Sequence, residues 1–168
     1  MRTPTGTDNE RDIQGNYKKA FIQTGLGQWG LTPGVGFFKE VGGFSFTGSI
    51  GHTFNLNKND AGYESANTTQ ASVGGARNVL VFGENDKYQF SASLFLFGIW
   101  IGGNDKRDGV EVGNTGGTWY YIDPGLSFTP DGGSFSFYLS TPISLYRNVH
   151  SLQTYEKISY NFGIEYRF

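Results

Sequence analysis

The chain has 168 residues, 26 glycines, 17% aromatics, no cysteine and a net charge of −2, and its hydrophobic residues amount to only 37%. Without a Lys/Arg cluster that charge leaves no footprint for nucleic acid, and the absence of cysteine suits a compartment where stray thiols oxidise. The most apolar stretch, Leu94 to Ile101, falls far short of the ~18 residues of a membrane helix.

Residues 1–26 form a polar N-terminal segment, with no apolar run of the kind a secretory leader carries. They read as a loop or as a first strand. From residue 27 to 168 helical periodicity is hard to find, and apolar residues recur at every second position instead.

Seven strands are predicted, at roughly 27–40, 43–56, 68–83, 87–103, 117–130, 133–149 and 154–168. In the second, Phe44, Phe46, Ile50 and Phe54 alternate with Ser45, Thr47, Ser49, Thr53 and Asn55. The third is rich in small residues, and one register turns its Arg77 toward lipid. The fourth is apolar on both sides: Tyr88, Phe90, Leu94 and Leu96 face one way and Phe95, Phe97, Ile99 and Ile101 the other, which a bulge or a partly apolar interior would explain. In the sixth, Phe135, Phe137, Leu139, Ile143 and Leu145 alternate with Ser134, Ser136, Ser140 and Ser144. In the seventh, Ile158, Tyr160, Phe162, Ile164, Tyr166 and Phe168 oppose Lys157, Ser159, Asn161, Gly163, Glu165 and Arg167.

Strands of about 13–17 residues exceed the usual 5–6 of a soluble sheet. They suit tilted membrane strands, which place about 9–11 residues in the hydrocarbon. Tight turns fall at Glu40–Gly43, Gly83–Lys87 and Pro130–Gly133, and longer polar loops at 57–67 and 103–117. Outer-membrane barrels pair short periplasmic turns with long extracellular loops, a rule that puts Phe168 at the periplasmic rim. The expected fold is an all-β, antiparallel up-and-down transmembrane β-barrel in a bacterial outer membrane. Seven strands cannot close, since bacterial single-chain barrels have even numbers. Either residues 12–26 supply an eighth, or the chain is part of a larger barrel, the reading favoured here.

Three stretches also carry a resemblance: Gly25-Leu26-Gly27-Gln28-Trp29 with Pro33-Gly34-Val35-Gly36-Phe37; Thr115-Gly116-Gly117-Thr118-Trp119 with Asp123-Pro124-Gly125-Leu126-Ser127-Phe128; and Thr141-Pro142-Ile143-Ser144-Leu145-Tyr146-Arg147-Asn148-Val149, leading to Tyr166-Arg167-Phe168. In order and spacing they resemble the C-terminal half of the outer-membrane transporter family named for the meta-pathway of phenol degradation. Arg2-Thr3-Pro4-Thr5-Gly6 looks like a segment that lies mid-barrel in that family. Membership implies a channel for small solutes, hydrophobic or aromatic ones among them.

Alternation puts Lys157, Ser159, Asn161, Glu165 and Arg167 on the pore-lining face, with Tyr138 and Tyr146 as further candidates. Trp29, Trp100, Trp119, Tyr120, Tyr121, Tyr155 and Phe168 read as rim girdle, where a ring meets lipid and its polar tip meets water. The other motifs point to no chemistry. Gly25-Leu26-Gly27-Gln28-Trp29-Gly30 matches a dinucleotide fingerprint, but Pro33 and Gly34 forbid the helix it needs. His52 and His150 have no spacing that singles out a triad, although Ser49, Thr53, Asp60 and Glu64 are near His52. Asn104, Asp105, Asp108 and Glu111 share a loop without the spacing of a calcium site. The expectation is therefore a channel, not an enzyme, with no cofactor or metal. Its partners are membrane lipid, small solutes and, through the C-terminal strand, the barrel-assembly machinery. The alternative is a closed eight-stranded barrel, structural or engineered, without a pore.

Overall fold

The computed structural model describes Gln14 and residues 27–113, 115–130, 134–150 and 157–166; the N-terminal segment, Tyr155, Arg167 and Phe168 lie outside them. The described chain is all-β. Its elements are β1 (Gly30–Leu31), β2 (Gly34–Val41), β3 (Phe44–Asn55), β4 (Tyr63–Glu64), β5 (Thr68–Phe82), β6 (Tyr88–Ile101), β7 (Lys106–Arg107), β8 (Val110–Glu111), β9 (Gly117–Thr129), β10 (Phe135–Ser140), β11 (Ile143–Val149) and β12 (Asn161–Tyr166). Nine of them form one antiparallel sheet in the order β1-β3-β5-β6-β9-β10-β12, with β2 beside β3 and β11 beside β9. The other three, β4, β7 and β8, form a small sheet from the two long loops. No described helix is long and apolar enough to cross a membrane, which says nothing about strands.

Two strands expected as single runs are each broken at a proline while their register continues. Gly30 and Leu31 face Asn55 and Phe54, and beyond Pro33 the same alignment resumes with Gly34 facing Gly51. Likewise Ser140 faces Gly125 and, past Pro142, Ile143 faces Ile122. Proline has no N–H to give the ladder. The carbonyls beside these gaps still accept, Pro33 O from His52 N and Pro124 O from Thr141 N, both at 3.0 Å.

The tight turns follow from their residues. Gly42 and Gly43 have φ of 58° and 79°, the double positive φ that lets a two-residue turn match the twist of its strands. Between β5 and β6, Glu84–Asp86 make a single 3₁₀ turn in which Asn85 and Asp86 take positive φ, entered through Gly83 at φ 89°, with Phe82 facing Tyr88 across it.

Register sorts the side chains into two faces. One is apolar from strand to strand: Phe37, Phe46, Ile50, Val73, Leu94, Leu96, Ile122, Leu126, Leu139, Phe162 and Ile164. The other carries Ser45, Ser49, Ser72, Asn78, Ser91, Ser127, Tyr138, Asn161 and Glu165. A bulge between Asn78 and Leu80 restores parity, so that Leu80 and Phe82 remain on the apolar face. Arg77 is on that face too, its guanidinium 4.6 Å from the centre of the Phe44 ring.

No hydrophobic core covers the apolar face. Among the described residues the one buried hydrophobic side chain is Ala61, in a loop, whereas Phe162 is 71% exposed and Ile50 51%. Aromatic rings instead lie across glycines of the neighbouring strand: Phe37 over Gly48, Phe95 over Gly74 and Tyr138 over Gly163.

Replacing Gly43 with Val should lower the unfolding free energy by about 1–2 kcal/mol, the cost of a left-handed β-branched residue. A Cβ there meets nothing within 4 Å, so the loss is purely conformational. A shifted denaturant midpoint, read by tryptophan fluorescence, checks it.

Candidate functional site

The polar face is the candidate site, and it changes character along the strands. Toward the tight turns it is hydrogen-bonded: Ser91 Oγ donates to Asn78 Oδ1 at 2.6 Å, and Thr129 and Ser136 share a hydroxyl contact at 3.0 Å. A cavity of about 470 Å³ opens there beside Glu40, Ser45, Asn78, Ser91 and Ser127. Toward the long loops the same face bears Phe95, Phe97, Ile99 and Ile101 of β6 and Trp119 and Tyr121 of β9. Phe97 and Tyr121 stack with centroids 4.8 Å apart and planes 14° from parallel. Beside this wall is a second cavity, about 520 Å³, whose lining includes Gly34, Gly36, Ser49, Gly51, Ser72 and Phe97. Between the two zones sits Asp123, opposite Phe95; its Oδ2 accepts from Ser140 Oγ at 3.3 Å, and its buried Oδ1 has no hydrogen-bond partner.

The apolar run of β6 is thus a real two-sided strand. No bulge separates its halves between Ser91 and Ile101, so its second apolar side lies on the otherwise polar face of the sheet.

Of the residues expected to line a pore, Tyr138, Asn161 and Glu165 are on the polar face, facing Ser127, Ser140 and Ser136. Lys157 and Ser159 flank Ile158, whose bridge to Ile143 puts Ile158 on the apolar face. Tyr146 departs from the expectation. A bulge between Ser144 and Tyr146 shifts the parity, so Tyr146 faces Tyr120 on the apolar face, their rings 5.6 Å apart.

Of the expected rim aromatics, Trp100 and Tyr120 share the apolar face, and the indole N–H donates to the Tyr120 hydroxyl at 3.0 Å. Trp29 precedes β1, and its carbonyl accepts from Leu56 N at 3.0 Å. Trp119 and Tyr121 are corrected to the polar face, since neighbours in a strand point opposite ways and Tyr120 lies between them. Sequence reasoning missed a second set of rings at the turn-side end of the apolar face. There Phe82, Tyr88, Phe90, Phe128 and Phe137 form a chain with centroids 4.6 to 6.5 Å apart, and Phe135 meets Tyr166 at 4.7 Å. The signal was there, as aromatics next to each turn in successive strands.

The candidates for chemistry do not come together. His52 is on the apolar face, edge-on to Phe54 and 2.7 Å from the Thr69 hydroxyl, whereas Ser49 points the other way and bonds Ser72 at 2.9 Å. Thr53 pairs with Thr32. His150 Nδ1 contacts Asn104 Oδ1 at 3.3 Å. Gly30 enters a strand, not a helix. Among the described residues no group of three or more His, Cys, Asp or Glu could hold a metal ion.

The long-loop residues hold the cap together instead. Asp105 accepts from the Tyr63 hydroxyl and, at 2.8 Å, from Ala66 N, while Asn104 Nδ2 donates to Glu111 at 3.2 Å. Gln28, 1% exposed, donates to Tyr63 O at 2.6 Å, which ties the start of the first strand into the cap. Burial, and next Asp105 as acceptor and as charge, push the Tyr63 phenol above its ordinary range.

Because the folded phenol holds its proton more tightly than the unfolded one, its contribution is complete below about pH 10, the unfolded value, and is lost as pH rises through the folded value. Tyr63→Phe should therefore loosen the cap by about 1–3 kcal/mol, the cost of leaving Asp105 short of a donor. Hydrogen exchange at Ala66 and Asp108 reads this, and in the unmutated chain the same amides should lose protection only in strong alkali.

A family model described as Putative MetA-pathway of phenol degradation matches residues 2–162. No curated protein and no solved structure matches the chain.

Proposed function

The chain belongs to the family described as Putative MetA-pathway of phenol degradation, and from that premise we propose that it is β-barrel wall of an outer-membrane channel for the passive passage of small solutes, hydrophobic and aromatic ones among them. The observation that carries this reading is the exposed apolar face, on which Val73, Leu94, Leu126, Phe162 and Ile164 are each half or more exposed, opposite a polar one. A soluble protein rarely leaves contiguous apolar area of more than a few hundred Å² in water, whereas a barrel wall turns such a face to lipid.

Dimensions agree. β6 has 14 residues; at about 3.3 Å per residue and a tilt near 45° it rises roughly 30 Å, enough for the apolar band of an outer-membrane barrel, about 25 Å. The apolar face carries rings near both ends, Trp100, Tyr120 and Tyr146 toward the loops and Phe82, Tyr88, Phe90 and Phe128 toward the turns, as interfacial girdles do. Arg77, stacked on Phe44 one hairpin from the turn, can lay its stem along the apolar wall and its guanidinium toward the headgroups.

The polar face then lines the passage. Solutes cross by diffusion, with no bond made or broken, and Lys157, Asn161, Glu165 and Tyr138 set the charge and polarity they meet. The long-loop cap is the outer mouth, and the final strand is the segment the barrel-assembly machinery would engage.

Planar-bilayer recording of the full chain tests the reading. Discrete conductance steps are expected, and Glu165→Gln, which removes one charge, should lower cation permeability by about fivefold, the effect of ~1 kcal/mol per charge at a wet wall. A folded, lipid-inserted protein without conductance or solute flux would overturn it and favour a barrel without a pore.

A further inference from the structure

We propose that the polar face holds a binding station for one small, neutral, planar ring, which slots over Ser72 against the free side of Phe97. This rests on the channel reading for its purpose but not for its geometry.

Four strands carry one row of facing residues on the polar face: Ser49 on β3, Ser72 on β5, Phe97 on β6 and Tyr121 on β9. Phe97 and Tyr121 stack nearly parallel at 4.8 Å, the spacing between adjacent strands. The stack therefore advances one ring per strand and then stops, because the next two positions are serines. The cavity of about 520 Å³ lies over those serines and against Phe97. Along the same two strands the protein fills the neighbouring position itself, where the Phe95 ring lies across Gly74 of β5. The place over Ser72 is the one a ring would take next.

The lining defines the chemistry of the guest. None of the residues around this cavity is charged, which favours a neutral molecule. Ser49 and Ser72 hydroxyls bond each other at 2.9 Å and Thr32 and Thr53 at 3.0 Å, giving a floor and a rim of uncharged hydroxyls. The exposed carboxamide of Gln70, beside Ile99 in the adjoining row, can meet one polar substituent. The guest is thus a single ring with one hydroxyl or a like group. Offset stacking on Phe97 separates it from a saturated ring of equal size.

Benzyl alcohol and its saturated counterpart cyclohexylmethanol are the probes, titrated by ligand-observed NMR onto the purified full chain in detergent. The aromatic alcohol should bind about tenfold more tightly, within the range of an aromatic pair. Ser72→Phe, which fills the slot from the protein side, and Phe97→Ala, which removes its wall, should each weaken benzyl alcohol at least tenfold. Leu94→Ala, on the opposite face, should leave it unchanged and so account for partition into the micelle. Circular dichroism establishes folding; if Ser72→Phe misfolds, Ser49→Leu fills the same space from the next strand. Equal binding of both alcohols, or unchanged binding in folded Ser72→Phe or Ser49→Leu and Phe97→Ala, overturns the station. Conductance of the same preparation is read separately: binding without conductance leaves the station and removes the channel, and conductance without binding does the reverse.

Discussion

The inter-strand hydrogen-bond ladder is the interaction on which everything else in this molecule depends. A globular domain is held by side chains packed away from water, and here that role is nearly vacant: the single buried hydrophobic among the described residues sits in a loop. Backbone pairing must carry the sheet, and it tolerates interruption only where the alignment survives. Pro33 and Pro142 show how. Each costs ladder bonds, yet the strand on either side keeps the same partners in the same sequence. A slip of one residue would turn every side chain to the wrong face, and two prolines are cheaper than that.

Side chains reinforce the ladder locally. Rings laid over cross-strand glycines, as Tyr138 over Gly163, cover backbone that would otherwise be bare and tie each strand to the next. The device needs glycine on one strand and an aromatic on its neighbour, residue types in which this chain is rich.

Much of this was legible in the residues. Strict alternation in β3, β10 and β12 gave both the strands and their faces, and Gly42-Gly43 announced its turn. The loops were legible only as loops: that Tyr63, Asp105 and Gln28 join them into a cap depends on contacts 35 to 42 residues apart, which no local pattern encodes. Parity was the other blind spot. The bulge after Ser144 reverses the sense of Tyr146, and Trp119, Tyr120 and Tyr121 could not all share a face whatever their preference for an interface. The two-sided apolar pattern of β6 looked like a defect in the sequence. Register shows that Phe95 and Phe97 of its second side face Gly74 and Ser72 of β5, with Ser49 of β3 next in the row, and there the ring-sized space appears.

The order of the strands has one further consequence, for how such a sheet is made. Along the large sheet every neighbour is the next long strand in the chain, so each pairing closes only the loop between two successive strands. Chain entropy charges little for short closures, and structures dominated by nearby contacts assemble faster than those that must bring distant segments together first. The sheet can grow as a zipper, one hairpin at a time, and at each stage the newest strand is the only fresh edge exposed to a wrong partner.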